Sequence, residues 1–197
     1  MPAKPAQSDA ASGTSAVPAV QTIWTIGHST RTWEELLDIL SSQGIGAIAD
    51  VRRFPGSRRY PWFASESMAS ALPQAGFDYL WLPQLGGRRR PQAGSPNGAW
   101  RNEAFQGYAD HLASAEFAEG VDLALELARR RPTALMCAEA VWWRCHRRLV
   151  SDVLCHRGVE VLHIMAADKL QPHPLHPDAR PQGDILVYPP AQAGLFE

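Results

Sequence analysis

The stretch IGAIADV, residues Ile45 to Val51, is an unbroken apolar run that ends on a carboxylate. A run so short and so uniformly apolar fits a strand buried on both faces, and such strands occur in parallel sheets covered by helices. Its neighbours support this reading. TIWTIG (Thr22–Gly27), the run from Phe77 to Pro83, Thr133–Ala138 and VEVLHIM (Val159–Met165) are further strand candidates, bounded by glycine, proline or polar breaks. Helical patterns run between them. Thr32 followed by Glu35 makes a capping box, Leu36, Leu37, Ile39 and Leu40 give one apolar face, and Gly44 stands where a C-terminal glycine belongs. Ser65–Gly76, Glu103–Ala113, Ala115–Arg130 and Arg144–Arg157 read as four more helices. Strands alternating with helices require right-handed crossovers, so the expectation is an α/β domain with a mostly parallel sheet of about five strands, helices on both faces.

At 197 residues the chain suits one such domain. Residues 1–21 are rich in Ala, Pro and Ser and read as a flexible extension, residues 22–166 as the domain, and residues 167–197 as a Pro/His-rich tail packed on or near the domain and carrying one short element, DILVY. The tail's His173 and His176 read as solvent-facing. Cys137, Cys145 and Cys155 are too few and too bunched for a disulfide framework, and reduced thiols in a cytoplasmic protein are the simpler expectation. No run has the length of a membrane span, so no membrane partner is expected. The formal net charge of −1 argues against a nucleic-acid binder held by its overall field, although clustered arginines leave a basic groove open.

In an open α/β sheet, ligands bind beyond the carboxyl ends of the strands. Three strands here end in polar groups: His28-Ser29, Asp50-Val51-Arg52 and Cys137-Ala138-Glu139. Beyond the last of them lies MCAEAVWWRCHRRL, which gathers two thiols, Glu139, His146 and three arginines. Cys145 is expected to open the following helix, where backbone N–H groups favour an anion, and arginines nearby favour thiolate. Cys137 is the expected nucleophile or redox thiol, with Cys145 second. Glu139 and His146 are the acid–base candidates. Against this, free cysteines are often plain buried hydrophobes, and Glu139 and His146 have structural uses as an arginine partner and a helix cap. The C-x7-C-H spacing does not resemble a zinc knuckle, and no metal ligand is assigned, though His28 added to this cluster keeps a metal site as an alternative. A phosphatase loop is excluded: Arg144 stands one position too far from Cys137, and Val141, Trp142 and Trp143 are too bulky to wrap a phosphate.

The remaining arginines fall in two loops, RRFPGSRRYPWF and LGGRRRP. Arginine forks match phosphate or carboxylate oxygens, and Tyr60, Trp62 and Phe63 are able to stack on a base. Gly86 and Gly87 would let backbone approach a ligand. His28, Ser29, Asp50, Arg52, Arg58, Gly86, Gly87, Arg88 and Arg147 are therefore the candidates for an anion site, Asp50 by orienting an arginine or a substrate hydroxyl. Gln84–Asn102 is expected to border the pocket as a movable lid.

TIGHS, DVRRFPGSRR, LGGRR and CAE…CHR, in that order from about Thr22 to Met165, resemble the bacterial and archaeal family called domain of unknown function 488. The resemblance implies a Rossmann-like fold and places shared positions on His28, Ser29, Asp50, Arg52, Pro55, Ser57, Gly86, Gly87, Arg88, Cys137, Glu139, Cys145, His146 and Arg147. It implies no reaction and no cofactor. The leading expectation is an enzyme using a thiol on a phosphate-bearing small molecule, a nucleotide or nucleic-acid derivative. The alternatives are a non-catalytic nucleic-acid-binding module and a Cys/His metal-binding protein. The oligomeric state is left open.

Overall fold

A computed structural model describes residues 22–56, 58–183 and 185–191. Six strands form one sheet in the order β3-β2-β4-β1-β5-β6, where β1 is Thr22–Gly27, β2 Ala47–Asp50, β3 Asp78–Trp81, β4 Thr133–Cys137, β5 Glu160–Ala166 and β6 Lys169–Pro172. The first five run parallel, and β6 is antiparallel to β5. The helices are α1 (Trp33–Ser42), α2 (Ser65–Gln74), α3 (Glu103–His111), α4 (Ala115–Arg130) and α5 (Arg147–His156). This is the expected Rossmann-like α/β architecture with an antiparallel edge strand added. Among the described residues, no helix is long and apolar enough to cross a membrane.

Strand alternation divides the core into two layers. Ile26, Ile48, Ala134 and Met136 face α1, α2 and Phe63, while Ile23, Ala49, Leu135 and Val161 face α4 and α5. Ala47, Ile48, Ala49 and Asp50 are all fully buried, which explains the unbroken apolar run of β2. The capping box at α1 forms as expected: Thr32 Oγ1 accepts from Glu35 N at 3.1 Å, and Thr32 N donates to Glu35 at 2.8 Å. Gly44 follows the helix at φ 65°, a left-handed position that costs glycine little.

The chain leaves β1 through α1 on one face and β4 through α5 on the other, and the two strands are neighbours, with Gly27 opposite Cys137. Their diverging loops open a crevice between these carboxyl ends. A Cβ on Gly27 would lie 1.9 Å from the carbonyl oxygen of Glu139, so only glycine lets the loop after β4 cross there.

The expected helix from Arg144 begins instead at Arg147. Trp142–Arg144 form a single 3-10 turn, and Cys145 is extended at φ −122°, ψ 149°. Trp142 anchors the turn by stacking on His163 at 4.3 Å, and this draws Cys145 inward toward Cys137. The tail also differs from expectation. Besides β6 it forms a hairpin of β7 (Arg180–Gln182) and β8 (Ile185–Val187), and its His173 side chain is fully buried rather than solvent-facing. His176 is largely covered too, with its ring 4.6 Å from that of Trp100.

Candidate functional site

The carboxyl edge of the sheet holds a cleft of two adjoining lobes, about 210 and about 460 Å³, which share Gly87, Arg88, Cys137, Ala138 and His146. Arg52, Arg53 and Phe54 complete the smaller lobe. Asn102, Phe105 and Tyr108, from the start of α3 and its approach, join Glu139, Arg144 and Cys145 around the larger.

At the floor, Cys145 Sγ lies 3.7 Å from Nδ1 of His146, whose Nε2 is 2.9 Å from the carbonyl oxygen of Val51. A carbonyl only accepts, so Nε2 carries a proton and Nδ1 is turned to the sulfur. Arg147 Nε donates to the same sulfur at 3.5 Å. The donor atoms of Cys137, Cys145 and His146 all lie within 4.8 Å of one another. Burial pushes the Cys145 thiol up, but the hydrogen bond from Cys137, His146 and Arg147 together hold it well below its ordinary value. Cys137 is the donor to that sulfur and, also being buried, is pushed well above its own. Of the two thiols, Cys145 is the one whose surroundings favour the thiolate, where the sequence favoured Cys137. The reason is tertiary: the 3-10 turn places Cys145 on Arg147 and His146, while Cys137 reaches that charge only through the second sulfur.

As a metal set these three groups are one donor short of a closed tetrahedral site. His28 does not supply the fourth, because its Nδ1 faces Ser29 O at 3.1 Å and its Nε2 accepts from Arg52 at 3.2 Å. The Arg147 guanidinium already neutralises the buried sulfur. The cluster therefore offers a thiolate with an imidazole and a guanidinium at its side, or three donors of an open metal site.

Asp50 does orient an arginine. It takes Arg52 in a two-point contact at 2.7 and 2.5 Å and accepts from Tyr79 Oη at 2.8 Å. Arg52 is 6% exposed, so it presents only an edge to the cleft. His28 sits behind it, stacked on Phe63, with its pKa lowered to about 4 by burial and by the Arg52 charge. Ser29 takes a left-handed φ of 51° just past β1 and does not line the cleft. Arg147 is 1% exposed and turned inward: besides Cys145 it donates to Thr25 Oγ1 at 3.2 Å and to the carbonyl of Glu139 at 2.5 Å. It organises the site from below instead of meeting an anion.

The charges that face the cleft are Arg53, Arg88 and Arg144. Arg88 is exposed with a left-handed φ of 62°, a conformation that costs a side chain roughly 1 kcal/mol and so marks a position worth testing. Glu139 is exposed in the larger lobe. Arg58 is exposed and lines neither lobe, and Ser57 lies outside the described residues. Gly86 and Gly87 serve internal packing. A Cβ on Gly86 would meet Arg53 at 2.6 Å, and one on Gly87 would meet His146 at 2.9 Å.

The loop Gln84–Asn102 borders the cleft but is laced down over most of its length. Arg89 pairs with Glu116 at 2.9 Å through both nitrogens, and Asp110 accepts from Gln92 N, Ser95 Oγ and Asn97 Nδ2. Gly87 and Arg88 at its start and Asn102 at its end face the crevice, while the tied middle keeps the loop from closing as a unit. Arg53 and Phe54 lie inside DVRRFPGSRR and Arg144 inside MCAEAVWWRCHRRL, but nothing local marked them as cleft-facing, and Asn102, Phe105 and Tyr108 had no sequence signal.

The family model described as Domain of unknown function DUF488 matches residues 32–154, more than half of the chain and two of the three strand ends at the cleft, leaving out His28-Ser29. No curated protein and no solved structure matches the sequence.

Proposed function

The chain belongs to the DUF488 family, a domain of unknown function, and on that premise we propose that it is a thiolate enzyme acting on a small phosphate-bearing substrate, a nucleotide or a nucleic-acid derivative. The observation that carries this reading is the Cys145–His146 contact at 3.7 Å on the floor of a cleft rimmed by Arg53, Arg88 and Arg144. A thiolate paired with an imidazolium is a nucleophile with its own proton donor. The Cys145 sulfur attacks the substrate's electrophilic centre, a bond to sulfur forms as the bond to the leaving group breaks, and the leaving group takes the proton from His146 Nδ1. Water then releases the adduct, giving its proton back to the imidazole and restoring the thiolate.

The cleft's size supports a small molecule. Its larger lobe, about 460 Å³, is in the range of pockets that enclose a compact ligand. Phe105 and the exposed Phe54 offer apolar surface for a base or ring. Cys137 lines both lobes and donates to the attacking sulfur, which keeps it a partner in the chemistry. Glu139, in the larger lobe, is placed for proton exchange with a bound substrate.

The test is alkylation of the full chain with iodoacetamide at neutral pH, read by mass spectrometry, with and without phosphate or a mononucleotide. Cys145 is expected to react first and to be protected by the anion. Cys155 is the control, because burial and the nearby Asp152 raise its pKa. Labelling of Cys155 ahead of Cys145 would remove the thiolate from the site. If single-stranded nucleic acid bound far better than a mononucleotide, with an affinity falling steeply in salt, the chain would instead be a nucleic-acid-binding module.

A further inference from the structure

Beneath the cleft runs a line of buried polar groups that the chemistry above does not use. Thr25 Oγ1 is 2.7 Å from His163 Nδ1, His163 Nε2 is 2.9 Å from His173 Nδ1, and His173 Nε2 is 2.8 Å from Asp152 Oδ1. Thr25 and Asp152 are fully buried, as is the His173 side chain, and His163 is 1% exposed. Asp152 also accepts from Tyr188 Oη at 2.8 Å and from His176 N at 2.9 Å. At the other end, Arg147 donates to Thr25 Oγ1. Three of its four members lie outside the family match: Thr25 on β1, His163 on β5 and His173 just after β6.

The chemistry of the partners fixes the direction of every bond. Thr25 Oγ1 has two partners, and a guanidinium has no acceptor, so the hydroxyl proton must point to His163 Nδ1. His163 therefore carries its proton on Nε2 and donates it to His173, which donates from its own Nε2 to Asp152. Burial, the His173 ring and Arg147 lower the His163 pKa to about 3, consistent with a neutral ring. The row is Arg147 → Thr25 → His163 → His173 → Asp152, with every donor pointing the same way.

We propose that Thr25, His163, His173 and Asp152 are positioning residues that hold Arg147 against the Cys145 sulfur. Were His163 to carry its proton on Nδ1, that nitrogen and Arg147 would both donate to Thr25 Oγ1, and the buried hydroxyl proton would have neither of them as an acceptor. With the hydroxyl proton given to His163 instead, a lone pair of Thr25 Oγ1 is held on Arg147 NH1, which fixes the orientation that aims Nε at Cys145. The tail thus sets the tautomer of a buried histidine in order to aim a cation at the reactive sulfur. The effect on chemistry rests on the thiolate reading above; the bond direction does not.

Two measurements test it. Long-range 1H–15N NMR of the wild-type chain at neutral pH should find His163 and His173 both protonated on Nε2 and bare on Nδ1. A proton on Nδ1 of His163 overturns the proposal, whatever the thiol does. Second, the pH profile of Cys145 alkylation is compared in wild type, Thr25→Val and Thr25→Ser. The groups facing that sulfur are Cys137, His146, Arg147, Tyr108 and His163, and none is altered by these variants. Thr25→Val should move the alkylation profile up about one pH unit, which slows the reaction about tenfold on the acid limb of the profile, and Thr25→Ser should restore it. A folded Thr25→Val protein with the wild-type profile overturns the positioning role. Should Thr25→Val fail to fold, the tautomers decide alone. A wild-type profile with no acid-shifted thiol would sink the thiolate enzyme while leaving the tautomer test standing.

Discussion

Gly87 is packed against His146 so closely that a single added Cβ would come within 2.9 Å of the ring's Nδ1, the atom that faces the Cys145 sulfur. The ring has little room to retreat. Its other nitrogen is tied to Val51 O at 2.9 Å, and Tyr108 lies against it with ring centres 5.0 Å apart. Gly87→Ala should therefore push the imidazole off the sulfur at a cost of about 1–3 kcal/mol, as overpacked sites usually do. Alkylation of Cys145 should slow about tenfold while circular dichroism stays native. An unchanged rate would mean that His146 does not support the thiolate.

The three arginines facing the cleft should matter for anion binding, and Arg58 should not. Substituting Arg53, Arg88 or Arg144 by Ala removes a charge-assisted contact of about 1.5–3 kcal/mol, or at least about tenfold in phosphate affinity by isothermal titration. Arg58→Ala, outside both lobes, is expected to bind as wild type. Equal losses at all four positions would point to a diffuse surface field instead of a site.

Arg88 allows a sharper separation of stability from binding. Its φ of 62° suits glycine, so Arg88→Gly should raise the melting temperature by relieving roughly 1 kcal/mol of backbone strain, yet weaken phosphate binding as Arg88→Ala does. A gain in stability with undiminished binding would show that the guanidinium has no part in the cleft.

Stability should fall in mild acid. His28 ionises at about 4 in the folded chain against 6.5 for an unperturbed histidine, and His163 at about 3. Between 6.5 and those values the unfolded state binds more protons than the native state, so the native state loses ground as pH drops through that window and gains nothing above it. For His28 alone the effect is roughly 3 kcal/mol once pH reaches its folded value. Urea titrations at stepped pH should show the loss, and His28→Gln should flatten part of it. A midpoint that does not move from neutral to pH 4, about the folded His28 pKa, would contradict the buried neutral rings.

The thiolate–imidazolium assignment also makes a prediction about metal. Protein purified without added metal should carry less than about a tenth of an equivalent of zinc, since the three donors lack a fourth and Arg147 supplies the compensating charge. A tightly held equivalent of zinc that blocks alkylation of both Cys137 and Cys145 would reverse the assignment.

Local patterning was enough for the frame of this protein. The apolar run of β2, the capping box at Thr32 and Glu35, and the glycine after α1 each report short-range physics, and each appears where the sequence puts it. Because the strands are parallel, their order in the chain also gathers His28, Asp50 and Cys137 at one edge. What the sequence could not carry was direction. It could not say that Arg52 and Arg147 turn inward to Asp50 and Cys145 while Arg53, Arg88 and Arg144 face the cleft, because all five are the same residue type with the same local signal. Nor could it tell which thiol holds the charge: that depends on a 3-10 turn anchored by Trp142 against a strand nearly twenty residues further on. His173 looked exposed in a proline-rich tail, but β6 pairs with β5 and folds it beneath the site, where Asp152 and His163 replace the water it gave up. Burial and hydrogen-bond partners are set by segments distant in sequence, and the ionisation of a buried group follows its partners.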